Sequence, residues 1–157
     1  MKNVKELYMK GMKYASVLVK TMACALMLGS LQAHADGGYS SEVVARNIST
    51  PNFWVKTDFT IPSYATFPSN AKLYNVIWKY TINGKIPSKG TFIAWLCHGD
   101  DNTCLNVTNA KSGTTTAFNT DGKALSTPFY LKYRINSSSS FSTVATGSAQ
   151  LIVNMSY

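Results

Sequence analysis

The residues best equipped for chemistry fall in one short stretch, Cys97-His98-Gly99-Asp100-Asp101-Asn102-Thr103-Cys104. A histidine beside carboxylates is the raw material of acid–base or nucleophilic catalysis, which needs a titratable group poised near neutrality and oriented by a partner. Beyond residue 35 the sequence has one histidine, His98, so a Ser-His-Asp arrangement would have to be built on it, inside a tight loop between two cysteines. A substrate cleft is not expected there. His98, Asp100 and Asp101 also offer three metal ligands within four residues. Zinc sites draw their ligands from separated elements, and no second cluster exists; calcium loops need more oxygen ligands than Asp100, Asp101 and Asn102 supply. The stretch is therefore expected to be a solvated hairpin tip. Ser112-Gly113-Thr114-Thr115 lacks the Gly-x-x-x-x-Gly-Lys pattern of a phosphate-cradling loop and has no helix after it. No catalytic, metal or cofactor-binding residue is assigned, and the chain is expected not to be an enzyme.

What remains is surface recognition. If the odd residues of the segment 53–61 (Phe53, Val55, Phe59 and Ile61, with Thr57) point inward, Trp54 lies outside beside Lys56. The same alternation puts Phe129, Leu131, Tyr133 and Ile135 inside and leaves Tyr130, Lys132 and Arg134 outside. Exposed aromatics flanked by cations are typical of binding surfaces, so Trp54, Lys56, Tyr130, Lys132 and Arg134 form the candidate partner-binding face.

The elements that must position these residues repeat with a period of two, and no stretch after residue 35 carries helical periodicity. Residues 76–116 read as the centre of a sheet: a β-branched and aromatic run, Asn83-Gly84, an apolar run ending at Cys97, and a return from Cys104. Strands are expected over 39–48, 53–61, 73–82, 91–97, 104–108, 114–118, 128–135 and 151–157. In the third, Tyr74, Val76, Trp78, Tyr80 and Ile82 share the core face; the fourth is apolar on both faces and so belongs inside a sheet. Residues 136–140 read as a mobile polar loop. Seven to nine short strands at this spacing predict a single-domain antiparallel β-sandwich, immunoglobulin-like in architecture. Cys97 and Cys104, the only cysteines after residue 35, face each other across neighbouring strands and are expected to form a disulfide.

The chain opens with Lys2, Lys5, Lys10, Lys13 and Lys20, then a short apolar run over 21–31 and Ala33-His34-Ala35. That is the pattern of a secretory signal peptide cleaved after Ala35, with Met12 as an alternative start; Thr21-Met22-Ala23 before Cys24 is a poor lipobox. Without residues 1–35 the formal net charge falls from +8 to +4, a mild bias toward anionic partners that gives little support to nucleic-acid binding. Residues 36–157 make one domain, with no membrane span after cleavage and the periplasm as the expected location.

Val76-Ile-Trp-Lys-Tyr80, Leu96-Cys97, Cys104, Ser112-Gly-Thr-Thr115 and Ile152-Val153-Asn154 stand in the order and at about the spacing of the bacterial flagellar protein FlhE family, which the chain resembles over residues 73–157. The resemblance implies a periplasmic accessory factor of flagellum biogenesis. Such proteins are linked to swarming motility, to limiting proton leakage through the flagellar export apparatus, and to a chaperone-like role that prevents premature periplasmic assembly. The implied partners are the export apparatus or exported rod, hook or filament subunits, and no catalytic residue is transferred. A pilin-like subunit or a carbohydrate-binding sandwich is the alternative; a third, an outer-membrane barrel, lacks a continuous lipid-facing band.

Overall fold

The computed structural model describes residues 37–157, which lie within one compact unit. The expected signal peptide falls outside the described residues. Eight strands form: β1 (Gly37–Val44), β2 (Val55–Asp58), β3 (Lys72–Ile82), β4 (Thr91–His98), β5 (Cys104–Asn106), β6 (Ser112–Thr115), β7 (Phe129–Asn136) and β8 (Thr146–Ser156). They pair into two antiparallel four-stranded sheets, ordered β1-β8-β3-β6 and β2-β7-β4-β5. The sandwich is as expected. Its strand order differs from that of immunoglobulin domains, because the first strand pairs with the last and most connections cross between sheets. Among the described residues, the β4–β5 connection is the one hairpin between sequence neighbours. Asn83-Gly84, a hairpin signal by composition, instead crosses sheets, with both amides donating to the Ala145 carbonyl at 3.0 and 2.7 Å.

The core forms where the two inner faces meet. Val76, Trp78 and Tyr80 of β3 and Leu151, Val153 and Met155 of β8 oppose Leu96 of β4 and Leu131, Tyr133 and Ile135 of β7, all buried. β4 lies between β7 and β5, as its two apolar faces required. Tyr74 departs from expectation. A register irregularity between Leu73 and Asn75 puts an extra residue in β3, so Leu73 takes the buried place and Tyr74 turns out, 40% exposed. Phe53, expected inside, is 69% exposed because β2 begins only at Val55.

Polar groups tie the sheets together. The Arg46 amide donates to Thr57 Oγ1 at 3.1 Å, Thr57 Oγ1 lies 2.7 Å from the Tyr133 hydroxyl, and that hydroxyl donates to the Arg46 carbonyl at 2.8 Å. With Thr57 donating to Tyr133, the three bonds close a ring that fixes the end of β1 against β2 and β7. The serine run after β7 is pinned at its start: Asn52, at φ 62°, exchanges hydrogen bonds with the Ser137 backbone at 2.9 and 3.1 Å, and Ser137 is buried. Asparagine tolerates that left-handed backbone better than most residues. The mobility expected over 136–140 does not extend to Ser137.

Candidate interaction face

The outer face of the β2-β7-β4-β5 sheet follows from its register. One row across the strands is Asp58, Tyr130, Cys97 and Cys104; the next is Lys56, Lys132, Trp95 and Asn106. Trp54 and Arg134 continue the face beyond. Lys56 and Lys132 stand directly opposite, a like-charge pair that costs stability unless the two ammonium groups part. They do part. Lys56 lies over the Tyr130 ring at 4.0 Å and pairs with Asp58 at 2.9 Å, whereas Lys132 turns between Trp54 and Trp95, 5.1 and 5.0 Å from their ring centres, and pairs with Asp101 at 2.9 Å. The Arg134 guanidinium sits 4.6 Å from the Trp54 ring, and the two tryptophans meet at 5.7 Å. The result is a plate of alternating aromatic rings and cations, with cation–π contacts between ring and cation.

All five residues expected on this face are there, but two are not exposed. Tyr130 is 4% and Lys132 7% accessible, because their long side chains lie down along the sheet under their neighbours. Trp54 is half-buried, packed against Trp95. Trp95 belongs to the plate and was not singled out in the sequence, since a strand apolar on both faces hides which of its residues point outward. Trp95 Nε1 and Arg134 Nε are buried beneath this face without a hydrogen-bond acceptor.

The Cys97–Cys104 disulfide closes the hairpin at the edge of the plate, with its Cα atoms 4.0 Å apart. The loop it closes carries Asp101, whose carboxylate accepts a hydrogen bond from the Tyr130 hydroxyl at 2.5 Å as well as pairing with Lys132. Tyr130 first and Lys132 second hold the Asp101 carboxyl below its ordinary value of 3.8. A carboxylate depressed in the folded state contributes stability above its unfolded pKa, and that contribution disappears as pH falls through the folded value. Below about pH 4 the wild-type protein is therefore expected to lose stability more steeply than Asp101→Asn, as read by circular dichroism during acid titration. Equal slopes would show that this carboxylate does not anchor the plate.

His98 is not part of a solvated tip. It closes β4 on the inner face, 2% exposed, with its ring stacked on Phe129 at 4.1 Å and 6° and its Nδ1 2.5 Å from Asp121 Oδ2. Its Nε2 is buried with no partner, so no hydroxyl nucleophile is bonded to it. Asp100 and Asp101 do lie at the exposed tip, where Asp100 pairs with Lys123 at 2.5 Å. Among the described residues, one group of potential metal ligands comes together, Cys97, Cys104 and Asp101, and the disulfide takes both of its sulfurs.

A family profile for flagellar protein FlhE matches residues 49–156. The chain belongs to the FlhE family. A crystal structure of FlhE superimposes with a TM-score of 0.59 at 16% identity, covering 77% of this chain and 97% of the solved one, so the two share a fold. No curated protein matched the chain. The FlhE match begins after β1 and includes every strand of the plate. No helix among the described residues is long and apolar enough to cross a membrane.

Proposed function

We propose that the chain is exported to the periplasm, with residues 1–35 as the signal peptide, and acts there as a non-enzymatic accessory factor of flagellum biogenesis. It binds exported rod, hook or filament subunits, or the export apparatus, through the outer face of the β2-β7-β4-β5 sheet. In doing so it prevents premature periplasmic assembly, limits proton leakage through the apparatus, and supports swarming.

The observation that carries this reading is the plate itself. Trp54, Trp95 and Arg134 are held in fixed positions, so little side-chain freedom is lost when a partner lands on them. Lys56 and Arg134 supply positive charge at the plate. That charge suits a partner surface rich in carboxylates. Lys132 and Tyr130 act as props beneath the contact, which makes them poor first targets for mutation.

The test uses the more accessible residues. Trp54→Ala combined with Lys56→Glu and Arg134→Glu is expected to reduce co-purification with flagellar components at least tenfold and to impair swarming, while far-ultraviolet circular dichroism stays unchanged. A folded triple variant that still captures those components and restores normal swarming would remove the plate from the mechanism.

A further inference from the structure

Among the described residues, three of the four sheet edges are guarded. β2 and β6 have four residues each and β5 three, β2 carries Lys56, and β5 is stapled by the disulfide. Short edges, lysines and covalent closure are ways a protein prevents strand-to-strand association. β1 has none of them. Its eight residues, Gly-Gly-Tyr-Ser-Ser-Glu-Val-Val, contain no proline and no lysine and run about 27 Å along the sheet edge.

The register shows which of its backbone groups are free. Ala45 N–H donates to the Gly147 carbonyl at 2.9 Å, continuing the pairing in which Gly37 faces Met155 and Val43 faces Ala149. In an antiparallel ladder, residues alternate between those bonded to the partner strand and those pointing away. The odd residues of β1 therefore bond to β8, and Gly38, Ser40, Glu42 and Val44 present their N–H and C=O groups to the open edge. The Tyr64 hydroxyl reaches the Ser40 carbonyl at 3.5 Å, the outer limit of a hydrogen bond, from a side chain that is 66% exposed.

The geometry points to a second copy of this chain as the occupant, paired antiparallel through β1 about a two-fold axis at Ser41. That register sets Gly38 against Val44 of the other copy and Ser40 against its Glu42, so every free backbone group from 38 to 44 finds a partner. Centring the axis on Glu42 would oppose two carboxylates, and centring it on Ser40 would set Gly38 against Glu42, taking Val44 away from the depression beside Gly38. The side chains fit the same choice. Val44, 85% exposed, is delivered over Gly38 of the other copy, where Gly38, Ser40, Tyr64, Ile152 and Asn154 line a depression of about 360 Å³. Each Glu42 meets a serine hydroxyl. The two β1-β8-β3-β6 sheets become one continuous sheet, and the interface is isologous. An interface one strand wide belongs to the small, weak class, so the dimer forms in a concentration-dependent way. The inference uses a different sheet from the plate and stands or falls independently of the proposed function.

Ser41→Cys tests the register, since Ser41 of each copy would lie directly opposite the other with Cα atoms about 4.5 Å apart, within disulfide reach. With oxidised glutathione as oxidant, the purified Ser41→Cys chain is expected to cross-link to itself at least tenfold faster than Ser40→Cys. Val44→Glu in the Ser41→Cys background is expected to slow cross-linking at least tenfold. In sedimentation velocity, the wild type should gain mass with concentration and the Val44→Glu chain should not. Equal cross-linking at 40 and 41, a wild type that stays monomeric throughout, or cross-linking in cells to a different protein with none to itself would each overturn the proposal.

Discussion

Phe129→Ala is expected to lower the unfolding free energy by about 3–5 kcal/mol, the range for emptying a buried aromatic site. Phe129 is 1% exposed and lies between two rings, stacked on His98 at 4.1 Å and meeting Phe118 edge-on at 5.2 Å. Around it the sandwich closes: β7 begins at Phe129, β4 ends at His98, and Phe118 comes from the turn after β6. Removing the ring leaves a cavity that these neighbours cannot fill by sliding, because His98 is held through Nδ1 by Asp121 and Phe118 is itself buried. It also leaves the imidazole, whose Nε2 already lacks a partner, without its stacking surface. Phe129→Leu retains most of the apolar volume and is expected to cost less than half as much. Equilibrium urea unfolding checks both. With a slope of about 1–3 kcal/mol per molar, the alanine variant should lose more than 1 M in midpoint. A loss below about 1 kcal/mol would mean that this end of the core repacks freely.

The elements were legible in the sequence to the extent that alternation alone defines them. Leu73 to Ile82 reads as a strand because Tyr74, Val76, Trp78, Tyr80 and Ile82 recur with a period of two, and Phe129 to Ile135 because Phe129, Leu131, Tyr133 and Ile135 alternate with Tyr130, Lys132 and Arg134; both are strands. Alternation is a local property and says nothing about partners. The pairing of β1 with β8 joins residues more than a hundred positions apart, and no signal within either strand encodes it. Asn83-Gly84 illustrates the same limit, since its composition suits a hairpin while its surroundings use it to change sheets. Tyr74 was misplaced because one extra residue reverses the alternation, and a β-bulge leaves no compositional mark.

The candidate face was legible in direction but not in exposure. Parity put Trp54, Lys56, Tyr130, Lys132 and Arg134 on one side of a sheet, and there they stand. Parity does not reveal that a lysine stem and a tyrosine ring lie flat once Trp95 and Asp101 are beside them, and Trp95 sits in a strand whose two apolar faces conceal its orientation. His98 was assigned to the solvent for the same reason. At the end of that strand, the step from Cys97 to His98 takes the chain from the outer face to the inner one, and only the stack on Phe129 shows it.

Converting Cys97 and Cys104 together to serine is expected to cost about 2.5 kcal/mol, the chain-entropy value for a loop closed by cysteines seven positions apart. The effect should reach beyond the loop. Asp101 lies inside it and accepts from Tyr130 and Lys132, so freeing the loop releases the counter-ion that holds Lys132 between Trp54 and Trp95. Reduced wild-type protein should therefore match the double serine variant in denaturant midpoint, and both should show altered tryptophan emission before global unfolding. Oxidised Asp101→Asn separates the two contributions, because it loses the anchor while keeping the covalent link. Its emission should shift toward that of the reduced protein, with a smaller loss of stability. The loop also has noncovalent supports: Asn102 N–H donates to Asp100 Oδ1 at 2.9 Å, and His98 N–H donates to the Thr103 carbonyl at 2.9 Å. If reduction costs less than about 0.5 kcal/mol, those bonds already order the hairpin in the unfolded ensemble, and the disulfide contributes little to the position of the plate.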